Sequence, residues 1–215
     1  LIFGAAGQMG KALCFAMQKL GYEVGAVDKD AANLKYYDYR INIDCSEHYA
    51  VLIALKGHGD TDLVISALPY YFNEYVADVC TLQKIPYFDL GGHVDVSAAI
   101  NKFARERHSL VFTDLGLAPG WINIIAEKLY HDISRIHGGP PNTIRMGVGG
   151  IPIYPAGPLQ YNSTWSIDGL LNQYRSDCQV LENGKIITKK SLTDLEYFDN
   201  MEWFNTSGGA SHTLE

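Results

Sequence analysis

The chain has 215 residues, of which 47% are hydrophobic and 19% charged, and its net charge at pH 7 is −7. This composition excludes a disordered chain, and the acidic balance argues against a nucleic-acid partner, which requires a basic surface. No apolar run approaches the roughly 18 residues of a membrane span, and the four scattered cysteines predict a reduced, cytoplasmic protein.

The first half of the chain alternates short apolar strands with helices. We predict strands at residues 1–3, 22–27, 40–43, 62–67, 86–90 and 110–113. We predict helices at 8–20, 71–82 and 94–107, and one that runs from an N-cap at Ser46 to residue 54. Strands this short, apolar and separated by helices indicate a parallel sheet covered on both faces.

The second half differs in pattern and predicts a separate domain. A helix follows Pro119-Gly120 and ends near residue 133, and residues 143–148 resemble a strand. A loop over 149–163, a helix over 166–174 and a hairpin of 179–181 with 185–188 complete it. We therefore predict two domains, 1–117 and 118–215. Because the first strand is unusually short, we also expect the chain to be part of a longer protein.

A glycine-rich turn lies between the first strand and the first helix. Its spacing, G-x-x-G-x-x-G, lets the backbone approach a pyrophosphate closely, and the following helix N-terminus favours an anion. The alternative is a tight turn whose glycines serve only packing. The residues predicted to bind a dinucleotide here are Gly4, Gly7, Gln8, Met9 and Gly10.

An acidic residue is expected about 20 residues beyond this turn, where it would bind the ribose 2′-hydroxyl. Asp28 directly follows the predicted second strand, 18 residues after Gly10. A carboxylate there repels a 2′-phosphate, which favours NAD as the cofactor. Lys29 beside it weakens that preference, so NADP stays possible.

Other strand ends would meet the same dinucleotide, because ligands bind at the carboxyl ends of parallel strands. The third strand is followed by a turn where adenine would rest, and the fourth by a turn near the nicotinamide-side ribose. Each could instead be an ordinary turn. The predicted contacts are Asp44, Cys45, Ser66, Ala67, Leu68 and Pro69, with Leu90 after the fifth strand.

The loops after the fifth and sixth strands should face the nicotinamide. His93 is the acid–base candidate because imidazole titrates near neutrality, although a histidine there could simply begin a helix. Asp89 could orient a substrate or only form a turn. Paired glycines suggest close backbone approach to a ligand. The predicted substrate contacts in these loops are Gly91, Gly92, Pro119, Gly120 and Asn123. No histidine has metal-ligand spacing, so no metal is predicted.

Four segments, in this order, resemble the saccharopine dehydrogenase family in its broad sense. They are SALPYY at 66–71, GLAPG at 116–120, GGIP at 149–152 and NSTWSIDGLL at 162–171. Ala118 and Asn123 depart from the saccharopine reductase pattern G-L-D-P-G-I-D-H, and the chain looks more like the lysine 6-dehydrogenase branch. The resemblance implies a Rossmann-type doubly wound parallel sheet followed by a mixed α/β domain that mediates a homodimer.

The resemblance also implies hydride transfer from an amine-bearing carbon of an amino acid, such as lysine or a saccharopine-like adduct, to a nicotinamide. His93 would be the base, with Tyr70 as a second candidate. Asp89 and Asp168 could face a cationic substrate, and Arg145 or the backbone at Gly120 could bind its carboxylate. Trp165 and Ser166 could close over the substrate, although Trp165 could equally fill a core.

Two alternative functions would also use the glycine turn. Dihydrodipicolinate reductases have a similar turn, but the paired histidines followed by a lysine that mark them are missing from this sequence. A non-catalytic NAD-binding sensor or scaffold is the other alternative.

Overall fold

The computed structural model describes residues 1–47, 49–149, 154, 158 and 166–193. The chain forms two compact units, Leu1–Ile125 and Ala126–Glu215.

The first unit is built on a six-stranded parallel sheet. Its strands are β1 (Ile2–Phe3), β2 (Gly25–Asp28), β3 (Tyr39–Asn42), β4 (Val64–Ser66), β5 (Tyr87–Asp89) and β6 (Val111–Phe112). Their order in the sheet is β3-β2-β1-β4-β5-β6, which reverses direction between β1 and β4. This order confirms the predicted Rossmann-type doubly wound sheet, and the reversal marks the edge where such sheets bind ligands.

Helices cover both faces of the sheet. They are α1 (Gln8–Lys19), α2 (Ala31–Leu34), α3 (Ala50–His58), α4 (Asn73–Leu82), which follows a short 3₁₀ helix at Tyr70–Phe72, and α5 (Val94–Glu106). Ile2 and Phe3 are neighbours in β1 but pack into different core clusters. Successive strand residues point to opposite faces, so the sheet has a core on each side, as the apolar strands predicted.

The second unit contains most of α6 (Trp121–His137), which crosses the boundary between the units, and α7 (Ile167–Arg175). It also contains the antiparallel hairpin of β7 (Cys178–Glu182) and β8 (Lys185–Lys189). Asn183 and Gly184 turn the hairpin with φ of 50° and 74°. Positive φ at both turn residues is what Asn-Gly favours, so the predicted hairpin is confirmed.

Two local predictions were wrong, and one short helix was not predicted. Ser46 does not cap a helix, because its N–H donates to Asp44 Oδ1 at 3.0 Å in a turn, and α3 begins only at Ala50. Residues 143–148 do not form a strand, since no strand among the described residues pairs with them, and Ile144 and Met146 are exposed. Helix α2 was not predicted, because four residues are too few to show a helical period.

Within the part of the chain that the structure describes, no helix has the length and apolar character needed to cross a membrane.

Candidate functional site

The turn after β1 is built from backbone packed on backbone. Gly4 is buried with φ of +78°, and a Cβ on it would lie 2.8 Å from the carbonyl of Ala67, in the turn after β4. A Cβ on Gly10 would lie 2.0 Å from the carbonyl oxygen of Gly4. These contacts bring the two central strand ends together, and they require glycine at both positions.

The N-terminus of α1 beside this turn is open to an anion. Gly7 is the N-cap and has no side chain to cap the helix, and the first helical turn contains no acidic residue. Gly7, Gln8 and Met9 are exposed. Unoccupied backbone N–H groups at a helix start, next to a glycine turn, fit a dinucleotide pyrophosphate.

Asp28 ties the end of β2 to this glycine turn. Its Oδ2 accepts the N–H of Ala6 at 2.9 Å, and its Oδ1 accepts the N–H of Asp30 at 3.0 Å. The Asn42 side chain donates to the carbonyls of Asp28 and Lys29 at 3.1 and 2.9 Å. The carboxylate is therefore fixed beside the turn, at the position that a ribose-binding acid requires.

Lys29 and Asp44 form an exposed ion pair at the same edge. Lys29 Nζ lies 3.7 Å from the carboxylate of Asp44. The pKa of Asp44 is lowered mainly by its hydrogen bonds with Ser46, and further by Lys29. The Lys29 ammonium that weakened the NAD prediction is thus partly compensated by a neighbouring carboxylate.

Two predicted cofactor contacts lie below the surface. Cys45 is 6% exposed, and burial raises the pKa of its thiol to about 12, with further contributions from Asp28 and Asp44. Ser66 is fully buried and its hydroxyl donates to Asn73 Oδ1 at 2.8 Å. Both side chains support the turns rather than face solvent, whereas Ala67, Leu68, Pro69 and Leu90 are partly exposed.

Two catalytic candidates from different turns lie together. The rings of Tyr70 and His93 stack with centroids 5.2 Å apart and planes inclined by 25°. Gly92, with φ of +128°, lets them approach, because a Cβ there would lie 3.0 Å from Tyr70 Cβ. The fold therefore pairs the turn after β4 with the turn after β5.

His93 is also the N-cap of α5. Its Nδ1 accepts the N–H of Asp95 at 3.3 Å, which is the helix-start alternative that the sequence left open. While this bond is made, the neutral ring carries its proton on Nε2.

Asp89 is 1% exposed, and its carboxylate accepts hydrogen bonds from the backbone. Its Oδ1 accepts the N–H of Gly91 at 2.7 Å and the N–H of Asp114 at 3.2 Å. Burial raises the pKa of its carboxyl, although these two hydrogen bonds oppose the shift. This geometry favours the turn-forming alternative over direct contact with a substrate.

The turn after β6 is equally tight. A Cβ on Gly120, whose φ is +127°, would lie 2.3 Å from the carbonyl oxygen of Gly116. The N–H of Gly120 donates to Asn123 Oδ1 at 2.9 Å, so the Asn123 side chain holds the start of α6. Pro119 and Asn123 are exposed.

The remaining predicted substrate contacts belong to the second unit. Ser166 is the N-cap of α7, where its hydroxyl accepts the N–H of Gly169 at 3.3 Å. Arg145 and Asp168 are exposed. Trp165 lies outside the described residues.

The sequence reasoning missed Asp114. It follows β6, adopts φ of 62° and accepts hydrogen bonds from Ser97 and Thr113. Asp114 follows the carboxyl end of the parallel strand β6, just as Asp89 lies at the carboxyl end of the neighbouring strand β5. The same sequence signal that indicated Asp89 could therefore have indicated Asp114.

Comparisons with known proteins agree with the fold. Residues 116–213 match the family model described as "Saccharopine dehydrogenase C-terminal domain". The solved structure of apo histidine-tagged saccharopine dehydrogenase (L-Glu forming) from Saccharomyces cerevisiae superposes with a TM-score of 0.65 at 20% identity. That superposition covers 94% of this chain and 47% of the other, and at this identity it shows the fold alone.

Curated relatives carry related names. The Bos taurus protein named "Alpha-aminoadipic semialdehyde synthase, mitochondrial" is 26% identical over 149 residues, which are 65% of this chain and 16% of that one. "Saccharopine dehydrogenase [NADP(+), L-glutamate-forming]" of Saccharomyces cerevisiae is 29% identical over 137 residues, 61% of this chain and 30% of that one. The chain thus spans less than a third of these relatives. Residues 116–213 are thus similar to the C-terminal domain of saccharopine dehydrogenases and the fold to that of the yeast structure, and these similarities agree with the resemblance that the four motifs indicated.

Proposed function

We propose that the protein to which this chain belongs is an NAD(P)-dependent oxidoreductase. It acts on the CH–NH or CH–NH₂ group of an amino acid, such as lysine or a saccharopine-like adduct. The observation that carries the proposal is one sheet edge that combines the glycine turn, fixed by Asp28, with the stacked Tyr70–His93 pair. The names of the curated relatives support the same class of reaction.

The residues at the β1 and β2 ends would hold the dinucleotide. Backbone N–H groups of α1 would bind its pyrophosphate and Asp28 its ribose. Asp28 supports NAD, whereas the relative from Saccharomyces cerevisiae is named for NADP(+). The bound nicotinamide would supply the hydride acceptor.

The residues after β4 and β5 would lie beside the substrate amine and take up its proton. Loss of hydride from the amine-bearing carbon requires a neutral amine, so a nearby group must take up a proton. For His93 to accept it on Nε2, the ring must first release the Asp95 N–H from Nδ1 and carry its own proton on Nδ1 instead of Nε2. That hydrogen bond is long, at 3.3 Å, and giving it up costs about 1 kcal/mol. His93 can therefore act as the base at a modest energetic cost.

Variants of His93 separate its two roles. His93→Asn keeps a good helix cap but has no titratable group, so we expect kcat to fall about 10²- to 10⁴-fold with stability unchanged. His93→Ala should lose the same activity and about 1 kcal/mol of stability as well. Steady-state kinetics across pH and urea unfolding measure both effects. If His93→Asn keeps full turnover across pH, the base assignment is wrong.

A spectrophotometric screen of the intact protein tests the function itself. NAD and NADP are each offered with lysine, saccharopine and polyamines, and the absorbance of the reduced cofactor is followed. We expect an amine-dependent rise, greater with NAD. Nucleotide binding without any amine-dependent reduction would favour a sensor or scaffold instead.

The proposal keeps three further expectations. Arg145 and Asp168 of the second unit would bind the charged ends of the substrate, and the intact protein would be a homodimer in the cytoplasm. Sedimentation of the intact protein tests the dimer directly.

A further inference from the structure

Asp89 joins two turns at the substrate end of the sheet. One oxygen, Oδ1, accepts the N–H of Gly91 at 2.7 Å and the N–H of Asp114 at 3.2 Å. The main-chain carbonyl of Asp89 accepts the N–H of Leu115 at 2.9 Å. The loop that leads from Gly91 to His93 is thus linked through a single residue to the turn after β6.

Asp114 completes the link from the other side. Its Oδ1 accepts the Ser97 hydroxyl of α5 at 3.0 Å, and its Oδ2 accepts the Thr113 hydroxyl at 3.2 Å. A Cβ on Gly91 would lie 2.3 Å from Asp114 Oδ1. The two turns are therefore in direct contact, and a shift of one would displace the other.

The second oxygen of Asp89 has a different environment. Asp89 Oδ2 and the Tyr87 hydroxyl are both buried and lie close enough to interact, but neither makes a hydrogen bond of standard geometry among the residues that the structure describes. The ionisable groups beside Asp89 are Tyr87 and Asp114, neither of which is a cation. Burial without a cationic neighbour favours the neutral form of the carboxyl, whereas the hydrogen bonds from the N–H groups of Gly91 and Asp114 favour the ionised form. Burial has the larger effect, so the pKa of Asp89 is raised.

We propose that Asp89 is a positioning residue for the reaction proposed above: it fixes the loop carrying Gly92 and His93 against the turn after β6 without touching the substrate. The inference rests on the proposed function for its effect on turnover. Its effect on the two turns is independent of any activity.

Two substitutions in the intact protein distinguish this role. Asp89→Asn keeps the Oδ1 acceptor and the shape, whereas Asp89→Ala removes both hydrogen bonds. We expect Asp89→Ala to lower kcat about 10- to 100-fold by displacing His93, with the dissociation constant for NAD changed less than about twofold. Asp89→Asn should restore most of the turnover. Asp60→Asn, an exposed aspartate in the loop between α3 and β4, is the matched control and should behave as wild type.

Hydrogen exchange provides a readout that needs no substrate. The amides of Gly91 and Asp114 should lose protection in Asp89→Ala and keep it in Asp89→Asn. Unchanged protection in Asp89→Ala would overturn the proposal even if the protein proves to be an enzyme. If the amine screen fails but the protection pattern holds, only the proposed function is wrong.

The pH dependence of the free energy of unfolding reports on the raised pKa of Asp89. Because the pKa of Asp89 is raised in the folded protein, ionisation above the ordinary aspartate value of about 3.9 weakens the fold. Wild type should therefore lose stability relative to Asp89→Asn as pH rises from about 3.9 to that raised pKa, and the loss should level off above it. A difference in unfolding free energy between the two proteins that stays constant over this range, or that grows in favour of wild type, would contradict a raised pKa at Asp89.

Discussion

Replacing Gly10 with alanine should destabilise the intact protein by about 3 kcal/mol and abolish nucleotide binding. The new Cβ would lie 2.0 Å from the Gly4 carbonyl oxygen and 2.7 Å from Ala5 Cα. Both contacts are with backbone in a buried turn, so no flexible side chain can move away. The turn that we propose receives the pyrophosphate must open instead. Urea unfolding and calorimetric titration with NAD measure the two losses.

Gly57→Ala is the matched control for this substitution. Gly57 lies within α3, and apart from its chain neighbours and the adjacent backbone of its own helix no described atom lies within 4 Å of the position that its Cβ would take. Alanine in a helix is favoured over glycine by roughly 0.5–1 kcal/mol, so this variant should be slightly more stable and bind nucleotide normally. A Gly10→Ala protein as stable as wild type, with intact NAD binding, would refute the packing described for this turn.

The second large effect concerns cofactor choice at Asp28. Asp28→Ser removes the carboxylate that accepts the N–H groups of Ala6 and Asp30. We expect NAD affinity to fall about 10- to 100-fold, because hydrogen bonds to charged groups are worth about 1.5–3 kcal/mol. NADP affinity should fall less, since the repulsion of its 2′-phosphate is relieved at the same time. Calorimetric titration with both nucleotides gives the ratio of the NAD and NADP affinities.

Asp30→Asn shows whether any nearby charge would have the same effect. Asp30 caps α2 by accepting the N–H of Asn33, and asparagine caps equally well, so this variant loses one negative charge and little structure. It should leave the NAD-to-NADP ratio near the wild-type value. A wild-type protein that prefers NADP, or an unchanged ratio in Asp28→Ser, would contradict the role assigned to Asp28.

The sheet and the dinucleotide turn were predictable because their signals are local and regular. Each strand is a short apolar run, and Gly4, Gly7 and Gly10 stand between a strand and a helix. The ribose-binding role predicted for Asp28 followed from its spacing from Gly10 alone. The paired hydrogen bonds of its carboxylate could not be predicted, since they depend on how closely β2 approaches the turn after β1.

The catalytic end was predicted less completely because its contacts are non-local. Tyr70 and His93 have 22 residues between them in the sequence. Their rings can stack because Gly92 has no side chain to keep them apart. The sequence left two alternatives open for Asp89, and its burial and backbone hydrogen bonds favour the turn-forming one. The failed strand at 143–148 has the same cause, because an alternating pattern becomes a strand only where a partner pairs with it.

Transfer of labelled hydride tests the central claim most directly. Lysine and saccharopine would each be deuterated at the lysine carbon next to the terminal nitrogen, and incubated with NAD or NADP and the intact protein. Mass spectrometry of the recovered nicotinamide should show one deuterium gained per turnover, with an aldehyde or its cyclised form as the product. Consumption of either amine without deuterium in the nicotinamide would contradict the account, as would an unlabelled cofactor with no amine consumed.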